Sequence, residues 1–174
     1  AIRFSVDVDD FTTIGSKADL DWFRAQLEEK YELVESARLG PGDDDDKVGR
    51  VFNRVVRRTD HGIEYEADPR QVEKLMDELD LSGEGVKGVV TPGVKTQSHQ
   101  IQSEEVLPEH EHTKFRALAA RANYLSQDQP DLQFAAKEVC RFMSSPTETS
   151  EAALKRLGRY LLGHKRLIYR YDFQ

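Results

Sequence analysis

The sequence predicts an α+β fold, with antiparallel hairpins and one helix in its first part and several helices in its second. Up to about residue 67, apolar residues often alternate with polar ones, which is the period of a half-buried strand, and beyond it they recur three and four apart, as on an amphipathic helix. The charge is divided in a similar way. Residues 114–174 hold 11 Lys and Arg against 6 Asp and Glu, whereas the other residues hold 14 against 26.

Composition excludes several classes of protein. The chain has 174 residues, which is enough for one domain or two small ones, and no apolar run approaches the roughly 18 residues of a membrane helix. A single cysteine, Cys140, cannot form an internal disulfide, which suits a reducing compartment. The net charge of −7 argues against a general nucleic-acid binder. The basic C-terminal half could meet a phosphate backbone, although ordinary helix-surface charge would look the same.

The first stretch, residues 4–15, predicts a β-hairpin with Asp9 and Asp10 at its tip, because apolar runs lie on both sides of the acidic pair. Adjacent carboxylates repel each other unless a cation lies between them. Mg²⁺ takes oxygen ligands and keeps positions open for substrate phosphates. The pair therefore indicates half of a metal site for phosphoryl or nucleotidyl transfer. Asp-Asp is also good turn chemistry, so the hairpin alone leaves both interpretations open.

The next segments continue the α+β pattern. Ser16 is a predicted N-cap for an amphipathic helix over residues 17–30. Residues 32–38 are predicted to form a short strand. The run 48–58 and the alternating residues 63–67 are predicted to pair as a second hairpin, with a turn between them.

From residue 68 the pattern becomes helical. Asp68 and Pro69 predict a helix start. Residues 96–112 are polar with little periodicity, which indicates a mobile linker. Three helices are predicted over residues 113–126, 130–144 and 149–162, followed by a strand over 166–173. Lys155, Arg156 and Arg159 lie on the last of these helices and are candidate contacts for a nucleic-acid backbone, with solvated surface as an equal alternative.

An ordered set of short motifs carries a family resemblance. The set comprises Asp9-Asp10, Phe115-Arg116, Tyr124-Leu125, Gln129-Pro-Asp-Leu132, Phe142-Met143, Pro146, Lys155-Arg156 and Leu157-Gly-Arg-Tyr-Leu-Leu-Gly163. It resembles motif C, usually Tyr-x-Asp-Asp, and the C-terminal part of copia-type retrotransposon reverse transcriptases. In that family the later motifs run Tyr-Arg, Tyr-Leu, Arg-Pro-Asp-Ile, Phe-Met, Pro, Lys-Arg and Leu-Arg-Tyr-Leu-x-Gly. The resemblance covers nearly the whole chain.

The resemblance implies an architecture. Residues 1–67 would be a partial polymerase palm, residues 68–95 the first thumb helix with its Thr-Pro segment, and residues 96–112 a linker. Residues 113–174 would be a helical thumb and connection region leading toward an RNase H domain that the sequence does not contain. The segment 51–55 is similar to the primer grip, which makes Phe52, Asn53 and Arg54 primer-grip-like residues, although the family's glycine is missing there.

The resemblance also implies a function. The implied reaction is RNA-directed DNA polymerisation by an intact Pol polyprotein. It would depend on Mg²⁺, or on Mn²⁺ in its place, and Asp9 and Asp10 would be the catalytic metal ligands. Implied partners are an RNA template, a DNA primer, dNTP and the rest of the polyprotein, including integrase and RNase H, with no membrane. The implied location is a cytoplasmic virus-like particle, with delivery of the product to the nucleus. A further carboxylate, from motif A, lies upstream of residue 1 in the family, so we expect this chain alone to be inactive.

Two alternatives stand beside that interpretation. Asp7 occupies the position where the family usually has Tyr or His, and a carboxylate there would repel phosphate or the other aspartates. The chain could therefore be a catalytically dead retroelement remnant that acts as a protein- or nucleic-acid-binding domain. The other alternative is an unrelated Mg²⁺-dependent phosphotransfer domain.

Overall fold

The computed structural model describes residues 1–83, 85–94 and 105–174, and its fold is α+β with antiparallel sheets. In chain order the elements are β1 (Arg3–Asp7), β2 (Asp10–Ile14), α1 (Lys17–Glu28), β3 (Val48–Val51), β4 (Arg54–Arg58), β5 (Gly62–Ala67), α2 (Pro69–Glu78), α3 (Glu109–Ser126), a 3₁₀ turn (Pro130–Leu132), α4 (Gln133–Cys140), α5 (Glu148–Leu161) and β6 (Tyr169–Asp172). Within the described residues, none of the helices is both long and apolar enough to cross a membrane.

The predicted N-terminal hairpin and helix are confirmed. β1 and β2 form a two-stranded antiparallel sheet, and α1 follows with Ser16 as its N-cap, whose hydroxyl accepts a hydrogen bond from the Asp19 amide at 3.3 Å. The ring of Phe4 stacks on that of Phe23 at 5.6 Å and joins the hairpin to the helix. No residue of β1, β2 or α1 is fully buried, so this unit has no closed core of its own.

A four-stranded antiparallel sheet runs in the order β3-β4-β5-β6. The run 48–58 was expected to be one strand and is instead a hairpin of its own, because the chain reverses at Phe52 and Asn53. Both residues have positive φ, 51° and 59°, as type I′ turns require. The predicted last strand is confirmed as β6. β6 pairs with β5, so a strand from the end of the chain completes a sheet that begins at Val48.

The hydrophobic core lies among the helices. The buried apolar residues of this cluster are Val72, Leu75, Met76, Leu79, Leu81, Leu107, Phe115, Leu118, Ala119, Ala122, Leu125, Leu132, Ala135, Ala136, Val139, Leu154, Leu157, Tyr160 and Leu161. On α5, Leu154, Leu157 and Leu161 recur at three and four and are fully buried, as the helical period predicts. Burying each such leucine contributes about 1.5–3 kcal/mol, so this helical core is a main source of the stability of the fold.

Three segments differ from the prediction. Residues 32–38 form no strand, because the Arg38 amide donates to the Asp46 carboxylate at 2.8 Å instead of to a neighbouring strand. α3 begins at Glu109, inside the predicted linker, because acidic residues follow Pro108 and favour a helix N-terminus. Residues 96–104 of that linker lie outside the described residues. The helix predicted over 130–144 is a 3₁₀ turn followed by α4, which ends at Cys140, shortly before Pro146.

Candidate functional site

The predicted acidic tip is built by a two-residue loop, Val8-Asp9, between Asp7 at the end of β1 and Asp10 at the start of β2. Asp9 and Asp10 are exposed. Asp7 pairs directly with Asp10, so these two side chains share a face of the hairpin, where like charges destabilise the pair. Among the described residues, no group of three or more His, Cys, Asp or Glu side chains is arranged to hold a metal ion.

The loop backbone is strained at Val8, whose φ of 56° lies in the left-handed region. A β-branched residue there costs roughly 1–2 kcal/mol, because its Cβ approaches the following carbonyl oxygen. Val8 is also 93% exposed, so its burial contributes almost nothing in return. Asp9 and Asp10 thus lie at a turn that the local sequence does not favour.

The residues that the sequence predicted to be primer-grip-like lie at the tip of the β3–β4 hairpin. Phe52 and Asn53 form the exposed turn, and Arg54 opens β4. The Arg54 guanidinium is engaged within the protein: Nε donates to both oxygens of Asp128 at 3.1 and 3.3 Å, Nη1 to the Phe52 carbonyl at 2.9 Å, and Nη2 to Gln127 Oε1 at 3.1 Å. Arg54 therefore ties the sheet to the end of α3.

Asp128 is the centre of this junction. It is 6% exposed and also accepts a hydrogen bond from the Tyr65 hydroxyl at 2.9 Å. Burial raises the pKa of Tyr65, and the bond to Asp128 raises it further. Burial alone would lower the pKa of Arg54, but the Asp128 carboxylate outweighs it and raises that pKa.

The three basic residues predicted on α5 have different neighbours. Lys155 forms an ion pair with Glu151 at 2.8 Å and is 49% exposed. Arg156 Nη2 donates to the Thr91 hydroxyl at 2.9 Å, and Arg159 Nε donates to the Lys87 carbonyl at 2.8 Å. These two arginines hold the segment 85–94 against α5. Lys155 instead borders a cleft of about 190 Å³ between α2, α3 and α5.

Sequence reasoning missed a set of paired charges on the four-stranded sheet. Glu66 and Asp68 are each about 1% exposed. Arg166 donates to both oxygens of Glu66 at 2.7 Å, and Arg57 donates to one of them. Asp68 accepts hydrogen bonds from Arg70 Nε at 2.9 and 3.0 Å. The basic end of β4, Arg57-Arg58, and the two glutamates at alternate positions of β5 were a visible signal. The contribution of Arg166 was not, since it lies 100 residues from Glu66.

Part of the chain is similar to retrotransposon Pol polyproteins. Two relatives, the retrovirus-related Pol polyproteins from transposons RE2 and RE1 of Arabidopsis thaliana, are each 34% identical to it over 77 residues, which is 44% of this chain. The match spans about 5% of the length of each relative. No family model matches the chain, and no solved structure matches it. The similarities support an origin in a retrotransposon Pol polyprotein.

Proposed function

We propose that this chain is part of the RNA-directed DNA polymerase of a copia-type retrotransposon and that Asp9 and Asp10 bind its catalytic metal. The observation that carries the proposal is the exposed acidic pair at the tip of a tight hairpin, in a chain with similarity to Pol polyproteins. The remaining polymerase groups, including a further metal-binding carboxylate, would come from the rest of the polyprotein.

The residues at the tip suit a hard divalent cation, because carboxylate oxygens are the ligands that Mg²⁺ and Mn²⁺ take. When bound, the metal would supply activation of the primer hydroxyl and neutralisation of the leaving pyrophosphate. Asp9 and Asp10 would hold it, and their exposure leaves room for a primer end and a dNTP. A bound cation would also offset the repulsion between Asp10 and Asp7.

The proposal extends to the rest of the chain as palm and thumb. Phe52 and Asn53 would approach the primer from the tip of the β3–β4 hairpin, and Lys155 has an exposed ammonium for a backbone phosphate. Arg54, Arg156 and Arg159 would act mainly by positioning, since their guanidinium groups already donate within the protein. The partners would be template, primer and the other Pol domains, in a cytoplasmic particle.

Metal binding is tested by titrating Mn²⁺ into the labelled chain and following paramagnetic broadening by NMR. We expect weak binding with broadening centred on Asp9 and Asp10, and loss of that broadening in Asp9→Asn/Asp10→Asn. The four aspartates 43–46 supply the matched control, because the loop has more charge but no hairpin tip. Broadening confined to residues 43–46 would contradict the assignment.

Catalysis is tested in two forms of the protein. We expect no primer extension by this chain alone, and any Asp9-dependent extension by it would contradict that expectation. In the polyprotein that contains it, Asp9→Asn should reduce extension on a primed RNA template by about 10³-fold or more, because a lost charge stabiliser costs several kcal/mol in the transition state. Asp44→Asn is the control and should retain activity.

A second candidate, the catalytically dead remnant, is favoured by the direct pairing of Asp7 with Asp10. If repulsion there prevents metal binding, Asp7→Tyr should restore Mn²⁺-dependent broadening at the tip. If wild-type chain already binds Mn²⁺ at Asp9 and Asp10, the remnant interpretation loses this support.

A further inference from the structure

We propose that one face of the four-stranded sheet binds the phosphate backbone of a nucleic acid. We call it the arginine face, and it is formed by Arg50, Arg57, Arg70, Arg166 and Arg170. It shares no residue with the Asp9–Asp10 hairpin or with α5. The proposal therefore goes beyond the polymerase function and does not depend on it.

The strand register places these residues together. Arg50 is opposite Val55, which is opposite Glu66, and Arg57 is opposite Glu64, which is opposite Arg170. Residues directly opposite each other in an antiparallel sheet project from the same face, and so do residues two apart along a strand. Arg70 and Arg166 lie outside the strands, but they reach the same face, since they share the acceptors Asp68 and Glu66 with Arg50 and Arg57.

The charges on this face are layered. The side chains of Glu66 and Asp68 are each 2% exposed, and that of Glu64 is 19% exposed. The arginine side chains above them are far more open: Arg57 29%, Arg166 48%, Arg50 52%, Arg70 57% and Arg170 72%. The guanidinium groups are therefore the groups exposed to solvent, and the carboxylates lie beneath them. Asp172, opposite Gly62, adds one exposed carboxylate at the end of the face.

The buried carboxylates orient the arginines without using all their donors. Arg50 donates to Asp68 through Nη1 at 3.3 Å, and Arg170 donates to Glu64 through Nε at 3.0 Å. Arg166 uses Nε and Nη2 on Glu66. The other guanidinium nitrogens of these three residues form no hydrogen bond with the residues that the structure describes, so they can donate to a ligand. Fixing a guanidinium beforehand reduces the entropy lost on binding.

The chemistry and dimensions suit a phosphodiester chain. A guanidinium presents paired N–H groups that match two phosphate oxygens. Arg50 and Arg170 lie on the outer strands β3 and β6, three strand spacings apart, which is about 14 Å. That span is long enough to meet more than one phosphate of the same nucleic-acid strand. Contacts with phosphates do not distinguish one base from another, so we expect binding that is independent of the nucleotide sequence.

The test measures fluorescence anisotropy of labelled 20-nucleotide RNA and DNA strands of two unrelated sequences, at several KCl concentrations. The variant is Arg50→Gln/Arg170→Gln, which removes the two outer charges and leaves Asp68 its bonds from Arg70. The matched control is Arg24→Gln/Arg141→Gln, which removes two exposed, ion-paired arginines from α1 and the end of α4. Thermal unfolding of both variants checks that the fold is retained.

We expect the arginine-face variant to bind about tenfold more weakly than the control, with a salt slope smaller by about 1.4 for two lost single-strand contacts. Arg50→Lys/Arg170→Lys should restore the salt slope but only part of the affinity, because lysine lacks the paired N–H groups of a guanidinium. Equal affinity in the glutamine variant and the control would overturn the proposal. Tighter binding of a polyglutamate peptide than of either oligonucleotide would also overturn it, in favour of an acidic protein partner.

Discussion

At the scale of single residues, the junction between the sheet and the helices depends on Asp128. This carboxylate is almost fully buried, and its partners Arg54 and Tyr65 come from two neighbouring strands. A buried charge that loses one partner keeps its desolvation cost, whereas an exposed pair loses little when it is broken. The value of Arg54 to the protein is therefore structural whether or not a primer ever meets it.

The corresponding prediction compares two arginines. Arg54→Ala should lower the free energy of unfolding by about 3 kcal/mol, because it leaves Asp128 with the Tyr65 hydroxyl and without a cation. Arg141→Ala, which breaks the exposed Arg141–Glu138 pair, should cost less than about 0.5 kcal/mol. Urea denaturation of the three proteins gives the comparison. Similar losses in both variants would show that Arg54 is not a structural tie.

At the scale of elements, the sequence predicted the helices well and the turns poorly. The apolar stripes of α2 and α5 and the caps at Ser16 and Asp68 were visible because they depend on residues close in the chain. The β3–β4 turn was missed because phenylalanine is not a turn residue, and only the paired strands impose a left-handed backbone on it. The acidic hairpin was found because its strands are adjacent in sequence.

The turns supply a prediction. Asn53→Gly should stabilise the protein by about 0.5–1 kcal/mol, because glycine adopts the observed φ of 59° without strain and type I′ turns favour it there. Val8→Gly should likewise increase hydrogen-exchange protection of the β1 and β2 amides. Gly83→Ala is a control, since an added methyl group meets no atom within 4 Å there. Destabilisation by Asn53→Gly would show that the asparagine side chain has a separate role.

Gly158, a glycine in α5, supplies another prediction. A Cβ at Gly158 would lie 2.6 Å from Leu81 Cδ1 and 2.7 Å from Leu79 Cδ1, so its absence lets α5 approach the end of α2. Gly158→Ala raises helix propensity but should still lower the free energy of unfolding by about 1–3 kcal/mol, because the packed leucines must move. Combining it with Leu79→Ala makes room for the methyl group. The double variant should then lose less stability than the sum of the single losses, and additive losses would contradict the packing argument.

At the scale of the whole molecule, acid should weaken the sheet through Glu66 and Asp68. Burial would raise the pKa of Glu66, but hydrogen bonds and charge from Arg166 and Arg57 outweigh it and lower that pKa below its usual 4.5. The bond from Arg70 lowers the pKa of Asp68 below its usual 3.8. Groups with lowered pKa stabilise the folded state fully above their ordinary pKa, and that contribution is lost as the pH falls through the folded-state value.

We therefore expect wild-type stability to decline below about pH 4.5, and to decline less steeply in Glu66→Gln, which has already lost one of the two contributions. At pH 7 that variant should be less stable than wild type by about 2 kcal/mol or more. Urea midpoints between pH 3 and 7 measure both effects, with the exposed Glu138→Gln as the control. A pH profile unchanged by Glu66→Gln would remove Glu66 as the cause.

Long-range pairing explains what the sequence could not supply. β6 joins β5 across about a hundred residues, and no local pattern in either strand specifies that partner. The arginine face was hidden for the same reason, since Arg166 and Arg170 come from the end of the chain and their acceptors from its middle. The hairpin that carries Asp9 and Asp10, by contrast, is a local feature, and so its formation could be predicted.

The position of β6 has a consequence for the order in which the protein forms during synthesis. β5 leaves the ribosome about a hundred residues before its neighbour, and closing so long a loop is slow compared with helix formation. Until residues 169–172 emerge, one edge of β5 has unpaired backbone groups, and such an edge can pair with other nascent chains. Glu64 and Glu66 on that strand would then disfavour such pairing, since their like charges repel each other when the exposed edges of two β5 strands approach.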